Sequence, residues 1–330
     1  MSVGSKVRTG RTWGGKALHI TALIAVIASF LAAGFPAGPP STDEPRVSIT
    51  ARPKAQKSGS PTRSDLRVDV RMVLVPVTVA DERGRPVMDL PLEAFHLHEG
   101  NVEQKVVSLF REEGPISVGF LFDASSSMKK RMDRSMAAID QFLKSGAQGD
   151  EFFLLRFSDR VSLVQGFTSD PDAILSGLSM VQPNGWTSLL DAIYLGVQQM
   201  KTAKHSRKAL FILSDGADNN SRYTESEVAN RIRESDVRVY AVGLFERFRF
   251  LEKLAVETGG TSHLARKMKD LPEAIERLSN ELRNQYVLGY YPSNPDKDGK
   301  YRSVRVAVTP PPPLKFLNVR WRHGYYGPSD

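Results

Sequence analysis

Ile116-Ser-Val-Gly-Phe-Leu-Phe122 runs without a charge straight into Asp123-Ala-Ser125-Ser-Ser127. A short apolar run bounded by turn residues reads as a strand buried on both faces, and the pattern that follows from 127 reads as a helix. A carboxylate and two hydroxyls at spacing two, at the end of such a strand, converge above its carboxyl end. That is where open α/β sheets bind ligands. Oxygen donors of this kind suit Mg²⁺, Mn²⁺ or Ca²⁺ rather than zinc or copper. Taken alone, the same letters also describe a Ser-rich turn capping a helix. Two further stretches decide between the readings.

The first is Asn184-Gly-Trp-Thr187-Ser-Leu-Leu-Asp191, a glycine turn leading into Thr187 and then an apolar helical pattern through Leu190, Ile193 and Val197. The second is Ala209-Leu-Phe-Ile-Leu213-Ser214-Asp215-Gly216, a buried strand ending in a carboxylate and a turn glycine. In the order strand–DxSxS–helix, Thr–helix, strand–DG, the chain resembles the von Willebrand factor type A domain with its metal-ion-dependent adhesion site, over about residues 115–283. The resemblance implies a metal site at Asp123, Ser125, Ser127, Thr187 and Asp215. It also implies that the two serines coordinate directly, and that Thr187 and the aspartates coordinate directly or through water. Hydroxyls and water leave a divalent cation under-neutralised, so a site of this composition has appetite for a partner's carboxylate. Mg²⁺ is the expected cation, with Mn²⁺ or Ca²⁺ as alternatives.

The fold class expected is α/β, a doubly wound and mostly parallel sheet. Strands are expected at 116–122, 151–157, 160–167, 208–213, 238–243 and 261–264, and helices near 127–144, 171–178, 187–203, 224–235, 247–258 and 270–283. A turn at Ser158-Asp159 makes the second and third strands an antiparallel edge. Outside this domain the alternation stops. Strands are expected at 68–79, 95–100 and 103–110 before it, and at 285–291, 301–308 and 317–321 after it. Three strands on either side are too few for a stable sandwich. We therefore expect residues 66–112 and 285–327 to fold together as a β-sandwich, with the α/β domain (115–283) inserted between them. Val77-Thr-Val-Ala-Asp81-Glu-Arg-Gly84-Arg-Pro-Val87 and Gly289-Tyr-Tyr-Pro292 make the whole arrangement similar to the von Willebrand factor A-related exported proteins of Acidobacteria type.

Lys6, Arg8, Arg11 and Lys16 precede an apolar stretch, 17–33, followed by small residues through Gly38. Residues 1–37 thus read as a cleaved export signal or, alternatively, an uncleaved membrane anchor. Either places the rest of the chain outside the cytoplasm: secreted, periplasmic or in the cell envelope. Residues 38–65 are rich in Pro, Ser, Lys and Arg and read as a disordered linker. The chain has no cysteine, which excludes disulfides and a lipid-modified cysteine anchor. Four of the eight formal positive charges lie in residues 1–37, which hold no acid. The remaining +4 gives no warrant for nucleic-acid binding. The tail Val319-Arg-Trp-Arg-His-Gly-Tyr-Tyr326 reads as a twisted strand with one solvated face, although its basic and aromatic residues also suit a stacking surface.

An enzyme needs a nucleophile–base or acid–base pair at the metal. Of the six histidines, His205 falls in a basic connector and His263 in a late strand, away from the expected site, and His96 and His98 share a strand face without a third ligand. Two aspartates are few for a phosphatase-type site, and Asp218, Asn219 and Asn220 read as shaping its loop and rim. The expected function is therefore non-enzymatic: a metal-dependent adhesion module whose partner presents Asp or Glu. The alternatives are a metal-stabilised scaffold without ligand docking and, after it, a metal-dependent hydrolase. Met128, Lys129, Trp186, Asp218 and Arg222 are the expected ligand rim, with Lys130 and Tyr223 beside them. Trp186 is either exposed next to the metal or packed beneath the loop.

Overall fold

The computed structural model describes residues 72–246 and 248–329. The expectations for residues 1–37, for the linker 38–65 and for the start of the first strand and its domain, residues 66–71, fall outside them. Four strands come first: β1 (Val73–Ala80), β2 (Phe95–Glu99), β3 (Val102–Gln104) and β4 (Val106–Arg111). The alternating domain then runs β5 (Ser117–Asp123), α1 (Met132–Lys144), β6 (Glu151–Phe157), β7 (Val161–Thr168), α2 (Pro171–Ser179), α3 (Leu189–Gln199), β8 (Lys208–Ser214), α4 (Glu225–Arg233), β9 (Val237–Leu244), α5 (Arg249–Thr258), β10 (Ser262–Ala265) and α6 (Leu271–Arg283). It is followed by β11 (Tyr286–Tyr290), β12 (Tyr301–Val308), β13 (Asn318–Trp321) and β14 (Gly324–Tyr326).

The fold is α/β around a mostly parallel sheet of order β10-β9-β8-β5-β6-β7, with β7 antiparallel to β6 at one edge. Strands β5, β8 and β9 are buried along almost their whole length because helices cover both faces. On one face α1, α2 and α6 pack over Val118, Phe120 and Phe122, where the rings of Phe120, Phe142 and Phe211 meet at centroid distances of 5.2–5.7 Å. On the other, α3, α4 and α5 cover Leu121, Leu210, Ile212 and Val239. The chain winds outward from β5 through β6 to β7, then returns to β8 on the opposite side of β5. That reversal opens a crevice at the carboxyl ends of β5 and β8, and Asp123 and Asp215 lie there.

The remaining strands form two four-stranded sheets, β13-β1-β11-β4 and β14-β12-β2-β3. Each contains strands from both sides of the α/β domain: Val75 pairs with Leu288, and Leu97 with Val306. Val75, Val77, Leu97, Leu288, Tyr290 and Val304 belong to one apolar cluster between them. The α/β domain and these sheets form one compact unit. Two expected strands are each divided. The strand at 103–110 breaks at Lys105 into β3 and β4, and the tail breaks at Arg322-His323 into β13 and β14. In both cases the halves join different sheets, which a single straight strand cannot do. Among the described residues no helix is long and apolar enough to cross a membrane.

Candidate functional site

Asp123 is the last residue of β5, fully buried, and its two oxygens are already committed to orienting neighbours. Oδ1 accepts from Ser125 N at 2.8 Å, which pins the turn, and Oδ2 accepts from Ser214 Oγ at 2.6 Å, which ties it to the end of β8. Burial pushes its carboxyl above the ordinary carboxylate range, opposed by those hydrogen bonds and by the charge of Arg131. Ser125, extended at φ −67° and ψ 163°, precedes a 3₁₀ turn over 126–130. Its Oγ lies 3.0 Å from Ser127 Oγ, and Ser127 Oγ donates to Asp215 Oδ1 at 2.6 Å. The first and third sequence segments therefore meet as one chain of oxygens.

The second segment is brought to them by backbone hydrogen bonds. Asn184 N donates to Ala124 O at 2.8 Å and Ser126 N to Gly185 O at 3.1 Å. Trp186 N donates to Asp159 Oδ1 at 2.7 Å. Gly185 has φ +72°, and a Cβ there would stand 2.2 Å from the Asp159 carboxylate, so only glycine fits this turn. Thr187 is held by Asn219, whose Oδ1 accepts from Thr187 N at 2.8 Å and whose N donates to Thr187 O at 3.0 Å. Thr187 Oγ1 faces Gly216, 3.5 Å from where a side chain on that glycine would begin. Thr187 precedes α3 rather than starting it, because Thr187 and Ser188 stay outside the helix. All five expected site residues are thus assembled at the crevice.

The rim differs from expectation at two positions. Met128 is fully buried: the tight 3₁₀ turn rotates it into the apolar cluster with Phe122, so it is no rim residue. Asp218 is turned to the start of α3, where Oδ1 accepts from Leu190 N at 3.1 Å and from Ser221 Oγ, completing the cap that Ser188 does not provide. Lys129, Lys130 and Arg222 are exposed. Trp186 is 64% exposed, which decides against its packing beneath the loop. Tyr223 stacks on Tyr194 of α3 at 3.8 Å.

Four residues support the site: Ser214, Asn219, Asp159 and Arg131. From sequence only Asn219, as shaping the loop and rim, and Asp159, as part of a turn, are named, and their bonds to the site are visible only once the loops meet. Arg131 pairs its Nη1 with Asp215 Oδ2, a buried oxygen that takes no hydrogen bond. Its guanidinium also lies 4.4 Å over the ring of Phe245, a non-glycine residue at φ +71°. A buried carboxylate oxygen whose counter-charge is a cation, beside two serine hydroxyls, Thr187 and Asp123, is a donor set that fits a hard divalent cation. Among the described residues no group of three His, Cys, Asp or Glu side chains is placed to hold a metal. The oxygens gathered at the crevice are two carboxylates and three hydroxyls, Asp123, Asp215, Ser125, Ser127 and Thr187.

A family model described as the von Willebrand factor type A domain matches residues 118–217, which include all five positions. The chain carries a von Willebrand factor type A domain. Among curated proteins it is similar to inter-alpha-trypsin inhibitor heavy chain H4 of Homo sapiens, 25% identical over 213 residues, covering 57% of this chain and 23% of that one. It is also similar to inter alpha-trypsin inhibitor, heavy chain 4 of Mus musculus, 23% identical over 199 residues, covering 54% and 21%. The chain thus spans less than a quarter of the length of these relatives. Among solved structures, a von Willebrand factor type A protein from Catenulispora acidiphila aligns at a TM-score of 0.47 and 12% identity, covering 78% of this chain and 72% of that one. The vWF domain of the type V pili tip protein Mfa5 from Porphyromonas gingivalis aligns at 0.42 and 12%, covering 50% and 94%. Von Willebrand factor type A domains commonly bind protein partners.

Proposed function

We propose that this domain is an exported, non-catalytic adhesion module that docks an Asp or Glu side chain of a protein partner through a divalent cation, Mg²⁺ before Mn²⁺ or Ca²⁺. The observation that carries the reading is the line of oxygens Ser125–Ser127–Asp215 at the crevice, with exposed Trp186 on one side and exposed Lys129, Lys130 and Arg222 around it. Ser125, Ser127, Thr187, Asp123 and Asp215 would hold the ion, which when bound supplies an electrophilic position for a carboxylate. The cationic rim steers an acidic partner, and Trp186 offers the large rigid contact that dominates many interfaces. The non-catalytic reading is supported by the placement of two histidines, His205 Nε2 lying 2.8 Å from Gly149 O and His263 beside Glu281, away from the crevice. Export rests on residues 1–37.

A second reading, a metal-stabilised scaffold without docking, is favoured by one fact: the three loops are already tied by Asn184–Ala124, Ser126–Gly185 and Thr187–Asn219 hydrogen bonds. Thr187→Ala separates the two. It removes a hydroxyl while leaving the Asn219 bonds to the backbone intact, so unfolding free energy should change by less than about 1 kcal/mol. Under the docking reading, the Mg²⁺-dependent affinity for a partner captured on the wild-type domain falls by about 10-fold or more. Unchanged affinity, measured by surface plasmon resonance, leaves only the scaffold.

Arg131 supplies a further expected result. Its guanidinium serves as the counter-charge of Asp215, so a divalent ion must compete with it. Arg131→Gln should therefore raise Mg²⁺ affinity by several-fold, about one unit of competing charge at close range. A calorimetric titration giving equal or weaker binding would show that Arg131 supports the site rather than competes for it.

A further inference from the structure

At the opposite pole from Asp123, where β5, β8 and β9 begin, a cavity of about 810 Å³ opens between the parallel sheet and the sheet β13-β1-β11-β4. Its volume is in the range of small-molecule sites. Its two walls differ in chemistry. One is apolar: Leu74 and Phe110, 54% and 46% exposed, stand beside Pro76 and Val287. The other is basic, carrying Lys204, Arg207 and Arg238.

The basic wall is short of negative charge. Arg207 and Arg238 are both buried, and Glu112 serves both: Arg238 Nη2 donates to its Oε2 at 2.8 Å, while Arg207 Nε stands 3.6 Å from the same oxygen, beyond hydrogen-bond distance. The other Arg207 nitrogens donate to Gly114 O at 2.7 Å and to Leu282 O at 2.9 Å near the end of α6, and its Nε has no hydrogen-bond partner. The charges of Arg238 and Arg283 bear on Arg207 in addition to its burial, and all act against its protonated form; Glu112 opposes them. Arg283 is already matched by Asp150 at 2.9 Å. The other cations of the lining are spoken for, Arg111 by Asp89 and Arg322 by Asp236, each at under 3 Å. Glu113 and Lys204 are exposed on the lining, of opposite sign. Two buried guanidiniums with one carboxylate leave a positive charge that a further anion would match.

We propose that this cavity binds an amphiphilic carboxylic acid, with its carboxylate on the Arg207–Arg238–Lys204 wall and its apolar body against Leu74 and Phe110. Such a site is separate from the one at Asp123, so the two can fail independently. The test is calorimetric titration of the full chain with octanoate below its micellar concentration, beside acetate (charge alone) and octanol (apolar body alone). Saturable one-to-one binding of octanoate is expected, at least about 10-fold tighter than either control. Lys204→Glu should weaken it by about 10-fold and Glu113→Gln should tighten it, and both side chains are exposed, so neither change disturbs the core. The proposal is overturned if octanoate does not saturate, if acetate or octanol binds as tightly, or if Lys204→Glu leaves octanoate affinity unchanged.

Discussion

Asp123→Ala should abolish Mg²⁺ binding by this domain. Titrated by calorimetry, the wild-type chain is expected to take up one ion, and the variant none within a range about 100-fold weaker. Two losses combine. The carboxylate itself disappears from the crevice, and with it the acceptor for Ser125 N and for Ser214 Oγ, which hold the turn before Ser127 and the end of β8 in register. The two freed donors are buried and cost about 1–3 kcal/mol each if left unpaired, so a drop in stability accompanies the loss of binding. Asp123→Asn discriminates the causes. It keeps an acceptor for one of the two donors, so it should recover part of the stability, but it removes the negative charge that a divalent ion needs. If Asp123→Asn binds Mg²⁺ as well as the wild type, the aspartate is a structural clamp and the metal reading of the site fails. Uptake by neither protein would leave a crevice that keeps the fold of the family without its ion.

The sheet and the five converging residues were legible because each is a local signal. An uncharged run such as 116–122 has one interpretation in an α/β chain, and a strand end is where the side chains after it must gather. What sequence could not supply is orientation within a turn. Met128 follows the last residue of the DxSxS stretch and reads as rim, yet a 3₁₀ turn has three residues per turn, and this one sends Met128 into the core while Ser127 stays out. Asp218 looks like spare carboxylate at the site, but Ser188 fails to cap α3, and the nearest acceptor takes over that work. Ser214 and Asn219 carry no motif, because their partners are 91 and 32 residues away in the chain. Arg131 was hidden for the same reason: its counter-charge, Asp215, lies far along the chain, just after β8. Breaks at Lys105 and at Arg322-His323 leave no mark in a β-rich stretch, because strand propensity says nothing about which sheet a strand joins.

The second large effect is on stability, and it concerns the junction between the two halves of the molecule. Glu281 on α6 is buried and accepts from Arg320 Nη1 of β13 at 2.8 Å and from Thr261 Oγ1, with His263 Nε2 at 3.5 Å from its other oxygen. The helix that ends the α/β domain is thereby bonded to a strand of the neighbouring sheet, shortly before the chain enters β11 itself. Burial pushes the Glu281 carboxyl up, but the His263 ring beside it, the charge of Arg320 and the Thr261 hydroxyl prevail and hold it below its ordinary value of 4.5. A carboxyl that is more acidic in the folded than in the unfolded chain adds stability above the unfolded value and loses it as the pH falls through the folded one. Glu281→Ala leaves Thr261 without its acceptor and Arg320 without its counter-charge, though Arg320 Nη1 still donates to Thr261 Oγ1 at 2.7 Å, and the expected cost at pH 7 is about 2–3 kcal/mol, below the full penalty of a buried pair because Arg320 is one-third exposed and can reach water. The deficit should shrink as the pH is lowered below about 4.5, where the wild type gives up the same contribution. Urea unfolding of both proteins at pH 7 and again in acid measures it. A deficit under about 0.5 kcal/mol at pH 7, or one that is unchanged in acid, would mean that the charge of Glu281 does not join α6 to β13 and that apolar packing alone holds the junction.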